Sequence, residues 1–135
     1  MGETFVMTTV STQYTAIYSI DNYKGESRTA ERLVNNMRLV FSGVFEIRGS
    51  FNQITPDKVF DYLTLLYEKY IAQTEWNRIS PKLVEITKGD ESKIDERVIQ
   101  VVDNLKRARW ALQAFLQDWG VKCQYFPLKR LYPPV

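Results

Sequence analysis

The sequence predicts an all-α fold, a small bundle of four or five helices followed by an extended C-terminal tail. Apolar residues recur at spacings of three and four over most of the chain, as on the buried face of a helix. Ser/Thr-Pro pairs at residues 55–56 and 80–81 are typical helix starts, and Gly120 is a typical helix end. We therefore expect one bundle domain in residues 1–120 and a tail in residues 121–135.

The first two predicted helices cover residues 4–19 and a segment that begins near Ser27. Four residues of the first segment share a helical face: Val6, Val10, Tyr14 and Ile17. Its Thr and Val content also favours extended chain, so a strand remains the alternative. The second helix can be capped by Ser27 or Thr29, is weakened by Gly43 and ends at Gly49. Its apolar side comprises Leu33, Val34, Met37, Val40, Phe41, Val44 and Phe45.

The middle helix has the clearest signals. Thr55 can cap it, Pro56 suits its first position, and its apolar stripe continues to about Thr74. We expect Leu63 and Leu66 in the core. The other members of this stripe are Val59, Phe60, Tyr67, Tyr70 and Ile71.

Two further helices and the tail follow. Ser80 can cap a short helix that ends at Gly89, and the longest helix runs from about Asp90 to Gly120. Its apolar positions are Ile94, Val98, Val101, Leu105, Leu112, Leu116 and Trp119. Prolines extend the tail, which we expect to be docked through three large side chains: Phe126, Leu128 and Tyr132.

Composition limits the class of protein. The chain has 135 residues, 44% of them apolar, which suits one domain with a real core. Its net charge of +2 means that any nucleic-acid surface must come from segregated charge. The single cysteine, Cys123, allows no internal disulfide. With no leader or long apolar run, we expect a cytoplasmic protein with no membrane contact.

The sequence also predicts a non-enzyme without a catalytic residue, metal or cofactor. The chain contains no histidine, which excludes most acid-base, nucleophilic and zinc sites. Four carboxylates cluster near the start of the long helix: Asp90, Glu91, Asp95 and Glu96. Carboxylates at a helix start usually compensate the helix dipole. The glycines are isolated, so no phosphate-binding loop can be assigned.

Segregated positive charge is the most informative signal. Arg28 and Arg32 lie one turn apart on the second helix, next to Asn35 and Asn36. On the long helix Trp110 points away from the apolar face. It is interleaved there with cations and amides: Lys106, Arg107, Arg109, Gln113 and Gln117. This mixture is typical of a surface that follows a phosphate backbone. The alternatives are ordinary solvated helix faces and a Trp110 that is buried against another helix or the tail.

Two stretches resemble the small helical subunit of multisubunit CRISPR-associated effector (Cascade-like) complexes: "AERLVNNMRLVFSGVFEIRG" and "LKRARWALQAFLQDWG". The first is similar to the arginine-bearing second helix of that family and the second to its closing helix. The resemblance implies a non-catalytic subunit that holds guide, target or displaced strands by their backbone, without sequence specificity. It implies other protein subunits and further copies of itself as partners. By position, the donors would be Arg28, Arg32, Arg38 and Arg109.

Two other classes fit the sequence. One is the DNA-wrapping coat protein of a filamentous archaeal virus, which would clamp DNA with helices and an extended arm. The other is a helical protein-protein adaptor, in which Trp110 and the tail "YFPLKRLYPPV" contact another subunit. Only phosphate binding should depend steeply on salt, and this dependence separates the first two classes from the adaptor.

Overall fold

The protein has a mixed α/β fold, which corrects the prediction of an all-α bundle with an extended tail. A computed structural model describes residues 13–83, 85 and 96–127. Within these residues the order is β1 (Tyr14–Ser19), α1 (Arg28–Arg38), β2 (Val44–Gly49), α2 (Pro56–Ile79), α3 (Glu96–Trp119) and β3 (Lys122–Phe126). Short 3-10 turns follow β1 at Ile20–Asn22 and α2 at Ser80–Lys82.

The three strands form one antiparallel sheet in the order β1-β2-β3. In β2, Phe45, Ile47 and Gly49 are buried while the residues between them are more exposed. This is the period of two expected for a strand with one covered face. The predicted helix from Ser27 therefore ends at Arg38, and its second half is wrong because residues 44–49 are a strand.

The other two strands correct the predictions for both ends of the chain. The part of the predicted first helix that the structure describes is β1, so the open alternative of extended chain is the correct one for residues 14–19. The start of the predicted tail is the strand β3, which pairs with β2. In this register Phe126 lies opposite Val44 at one end, and Lys122 lies opposite Arg48 at the other. Phe126 is 42% exposed. Leu128 and Tyr132 lie outside the described residues, as do residues 4–12.

Close backbone packing explains one glycine between α1 and β2. A Cβ on Gly43 would lie 1.9 Å from the carbonyl oxygen of Phe126 and 2.7 Å from the Cα of Pro127. No side chain fits in this space. Gly43 therefore lets the end of β3 approach the start of β2, a role that its assignment to a helix did not reveal.

The chain divides into two compact units. Among the described residues, the sheet unit comprises those up to Val59 and from Trp119 onward, and the helical unit comprises those between Phe60 and Asp118. The core of the sheet unit contains Ile20, Val34, Met37, Phe41, Phe45, Ile47, Val59, Trp119 and Val121. Phe41, Phe45 and Tyr125 form a cluster of aromatic rings with centroids 4.7 to 5.6 Å apart.

Caps and turns in the sheet unit confirm several sequence signals. Ser27 accepts a hydrogen bond at 3.1 Å from the amide of Ala30 and so caps α1. The hydroxyl of Thr55 accepts from the amide of Lys58 at 3.3 Å, at the predicted start of α2. Gly120 has φ of 74°, the left-handed conformation that ends a helix.

The helical unit contains most of α2 and α3. Leu63 is 1% exposed, as predicted, whereas Leu66 is only partly buried. Tyr70 and Ile71 are exposed rather than in the core, because α2 turns a different side inward in its second half. Ser80 is the first residue of a 3-10 turn whose cap position is occupied by Ile79, so the prediction that Ser80 caps the short helix is wrong. Residues 86–95, with the end of the predicted short helix and the start of the long one, lie outside the described part.

Candidate nucleic-acid interface

Helix α3 has a buried apolar side and an exposed polar side. Val98, Leu105, Leu112 and Trp119, spaced by seven residues, are all buried. On the opposite side a row of exposed residues follows the helical spacing of four, three and four. We call this row the Trp110 stripe, and it consists of Lys106, Trp110, Gln113 and Gln117.

Trp110 is 72% exposed. The alternative in which it is buried against another helix therefore does not hold in the structure. A large aromatic ring open to solvent is available to a base or to a protein partner. Its position, away from the buried side of α3, is the one that the helical period predicts.

Two cations lie one turn before Trp110. Lys106 and Arg107 precede it by four and three residues, so both are its neighbours on the helix surface. Both are exposed, and neither forms an ion pair within the part of the chain that the structure describes. Arg107 points to a different side from Lys106, where it lines a groove between α2 and α3.

Arg109, the third predicted cation of α3, is engaged within the helical unit. Its guanidinium donates a hydrogen bond of 2.7 Å to the side-chain oxygen of Gln73 on α2. No pattern in the sequence indicated this hydrogen bond. Arg109 therefore connects the two helices, and a role in nucleic-acid binding stays a prediction.

The predicted arginines of α1 also differ from one another. Arg28 and Arg32 are exposed one turn apart and form no ion pair among the described residues. Arg38 instead donates to the carbonyls of Ile20 at 3.3 Å and Tyr23 at 2.7 Å, and to the side chain of Asn35. Arg38 thus holds the connection between β1 and α1. These three arginines belong to the sheet unit, and the four predicted residues of α3 belong to the helical unit.

The sheet has a polar face that was not predicted from the sequence, because its strands were predicted to belong to helices and to the tail. Arg48 and Lys122 lie opposite each other in the register of β2 and β3, and both are exposed. Arg48 forms an ion pair of 2.8 Å with Glu46 on the same face. The alternation of polar and apolar residues in "VFEIRG" is the signal that could have indicated this face.

Burial shifts the pKa of two side chains in the sheet unit. Within the described ranges no three His, Cys, Asp or Glu residues are grouped so as to hold a metal ion. Burial raises the pKa of the Cys123 thiol from 9.0 to about 11, which lowers the already small fraction of thiolate at neutral pH further. Burial and the nearby Tyr14 raise the pKa of Tyr18.

Comparison with known proteins gives no relative from which a function could be transferred: no family model, curated protein or solved structure matches the chain. No helix in the described ranges has both the length and the apolar character needed to cross a membrane.

Proposed function

We propose that this chain is a non-catalytic nucleic-acid-binding subunit whose Trp110 stripe holds a single strand. The observation that carries the proposal is the 72% exposure of Trp110, with the exposed Lys106 one turn away on the same stripe. An exposed ring offers a face on which a base can stack, and the Lys106 ammonium offers a contact to a flanking phosphate.

A single strand suits this surface better than a duplex. Bases in a duplex are stacked on each other, so they offer no free face to Trp110, whereas an unpaired base does. Gln113 and Gln117 continue the stripe along α3 with donors and acceptors for backbone or sugar groups. Since phosphates carry no sequence information, binding should be nearly independent of sequence.

The exposed pair Arg28 and Arg32 on α1 is a second candidate contact to phosphate, carried by the sheet unit. The narrower assignment to a CRISPR effector complex stays a prediction from the resemblance. That resemblance was to an all-helical protein, and this chain contains a three-stranded sheet. The proposal therefore depends on exposed side chains and names no complex.

The test measures the affinity of the full chain for labelled oligothymidine, oligouridine and a duplex at two salt concentrations. Trp110→Ala should weaken single-strand binding by about 1 to 3 kcal/mol, or roughly 5- to 150-fold. Lys106→Glu should weaken it for every sequence and reduce the log-log salt slope by about 0.7 for each phosphate that the protein no longer neutralises.

Two control variants match these changes. Phe51→Ala removes an aromatic ring that is 71% exposed, close to the exposure of Trp110, from the sheet unit rather than from α3. Lys82→Glu makes the same charge change as Lys106→Glu, at an exposed position in the 3-10 turn that follows α2. Both should retain the affinity of the unmodified chain. Equal decreases in affinity for the test and control variants, or affinity that does not respond to salt, would contradict the proposal.

A further inference from the structure

Helices α2 and α3 line an open groove on one side of the helical unit. Its floor consists of small or medium apolar side chains, among them Ala72, Val101 and Ala108. Ile71, which is 49% exposed, lies on the α2 wall. Small side chains allow another helix to approach closely, and an exposed isoleucine adds apolar surface for it to cover.

The charges of the groove are divided between its two walls. The α2 wall carries Glu68 and Glu75, and the α3 wall carries Arg107. Glu75 also forms an ion pair with Arg78 on its own helix. A nucleic-acid strand would meet repulsion from the two carboxylates, so the groove does not suit the ligand proposed for the Trp110 stripe. A partner needs a basic element opposite α2 and an acidic element opposite α3, and the chain itself presents both.

We propose that this groove is the interface of a homodimer, in which α2 of each copy faces α3 of the other. A two-fold axis that lies in the interface and runs parallel to the helices produces this arrangement. An axis perpendicular to the helices would set α2 against α2, and so carboxylate against carboxylate. The parallel axis gives four helices whose neighbours are all antiparallel, which is the arrangement of common four-helix bundles.

The heights of the charged groups along the helices fit the same axis. The hydrogen bond between Gln73 and Arg109 places these two residues at similar heights on antiparallel helices. Glu75 lies two residues after Gln73, and Arg107 lies two residues before Arg109, so these two are also at similar heights. Rotation about an axis parallel to the helices preserves height, so Arg107 of the second copy arrives near Glu75, with Glu68 about two turns away.

Charge reversal tests the pairing directly. An acid-reversed variant carries Glu68→Arg with Glu75→Arg, and a base-reversed variant carries Arg107→Glu. Each alone places like charges across both symmetric halves of the interface, so its self-association should be at least about tenfold weaker. Mixed in equal amounts, the two variants place opposite charges across both halves, and they should form a heterodimer.

The measurement is sedimentation of the full chain over a range of concentrations, with circular dichroism to check that each variant is folded. Lys106→Glu is the matched control for Arg107→Glu, since it changes the same charge on the neighbouring residue outside the groove. It should leave the dimer intact while weakening nucleic-acid binding, so the two proposals can fail separately. An unmodified chain that stays monomeric, or reversed variants that do not recombine on mixing, would overturn the homodimer.

Discussion

Replacement of Leu63 and of Leu66 by alanine should have clearly different costs, although the two residues lie three positions apart on α2. Leu63 is 1% exposed and Leu66 is only partly buried. Removing three carbons from Leu63 forfeits about 2.4 kcal/mol of transfer free energy, and the enclosed cavity raises the total to about 3 to 5 kcal/mol. At Leu66 solvent can reach part of the site, so the free energy of unfolding should fall by only about 1 to 2 kcal/mol.

The comparison is internally controlled, because both changes replace leucine by alanine in the same helix. Both residues also belong to the helical unit. Urea titration followed by circular dichroism gives the two decreases in the free energy of unfolding, with the slope of each transition checked against the unmodified chain. Equal decreases, or a larger decrease for Leu66→Ala, would refute this packing of α2.

Three further comparisons test the sheet unit. Gly43→Ala should lower the free energy of unfolding by about 3 kcal/mol in urea titrations, because its Cβ would lie 1.9 Å from a carbonyl oxygen of β3. Gly120→Ala should lower it by only about 1 to 2 kcal/mol, because its positive φ is unfavourable for alanine but no atom lies closer than 3.4 Å to the added Cβ. A larger decrease for Gly120→Ala than for Gly43→Ala would contradict this reasoning. Arg38→Lys should cost about 2 kcal/mol because it removes hydrogen bonds to two carbonyls, and Arg32→Lys should cost almost nothing; equal melting temperatures would count against the anchoring role of Arg38. Because the pKa of Cys123 is raised in the folded state, the thiol loses its proton at a lower pH in the unfolded chain than in the folded chain. The free energy of unfolding should therefore fall between about pH 9 and about pH 11, and it should fall less steeply in Cys123→Ala. Parallel pH profiles for the two proteins would exclude this thiol as a cause.

The helices could be predicted better than the strands because their signals are local. Thr55 and Pro56 mark the start of α2, and Gly120 marks the end of α3, within a few residues of sequence. The strand β2 has six residues, and the apolar residues of 40–45 also fit a helical face. Its partner β3 lies more than seventy residues further along the chain. Hydrogen bonds between such distant segments decide the strand, and single-sequence periodicity does not reveal them.

The same distinction applies to the candidate site. The exposure of Trp110 follows from its angle on one helix, so the sequence predicted its orientation. The anchoring of Arg38 and Arg109 depends on Tyr23 and Gln73, which lie 15 and 36 residues away. An arginine that bridges distant segments cannot be distinguished by sequence alone from an exposed arginine such as Arg32.

The three neighbouring cations in the middle of α3 therefore have different surroundings. Lys106 belongs to the Trp110 stripe, Arg107 lines the groove, and Arg109 donates to Gln73. Reversing all three charges at once would combine weaker strand binding, weaker self-association and a broken hydrogen bond between helices, and the cause of any defect could not be assigned. Single reversals separate these effects: Lys106→Glu should lower nucleic-acid affinity, Arg107→Glu should weaken self-association, and Arg109→Glu should lower the stability of the helical unit.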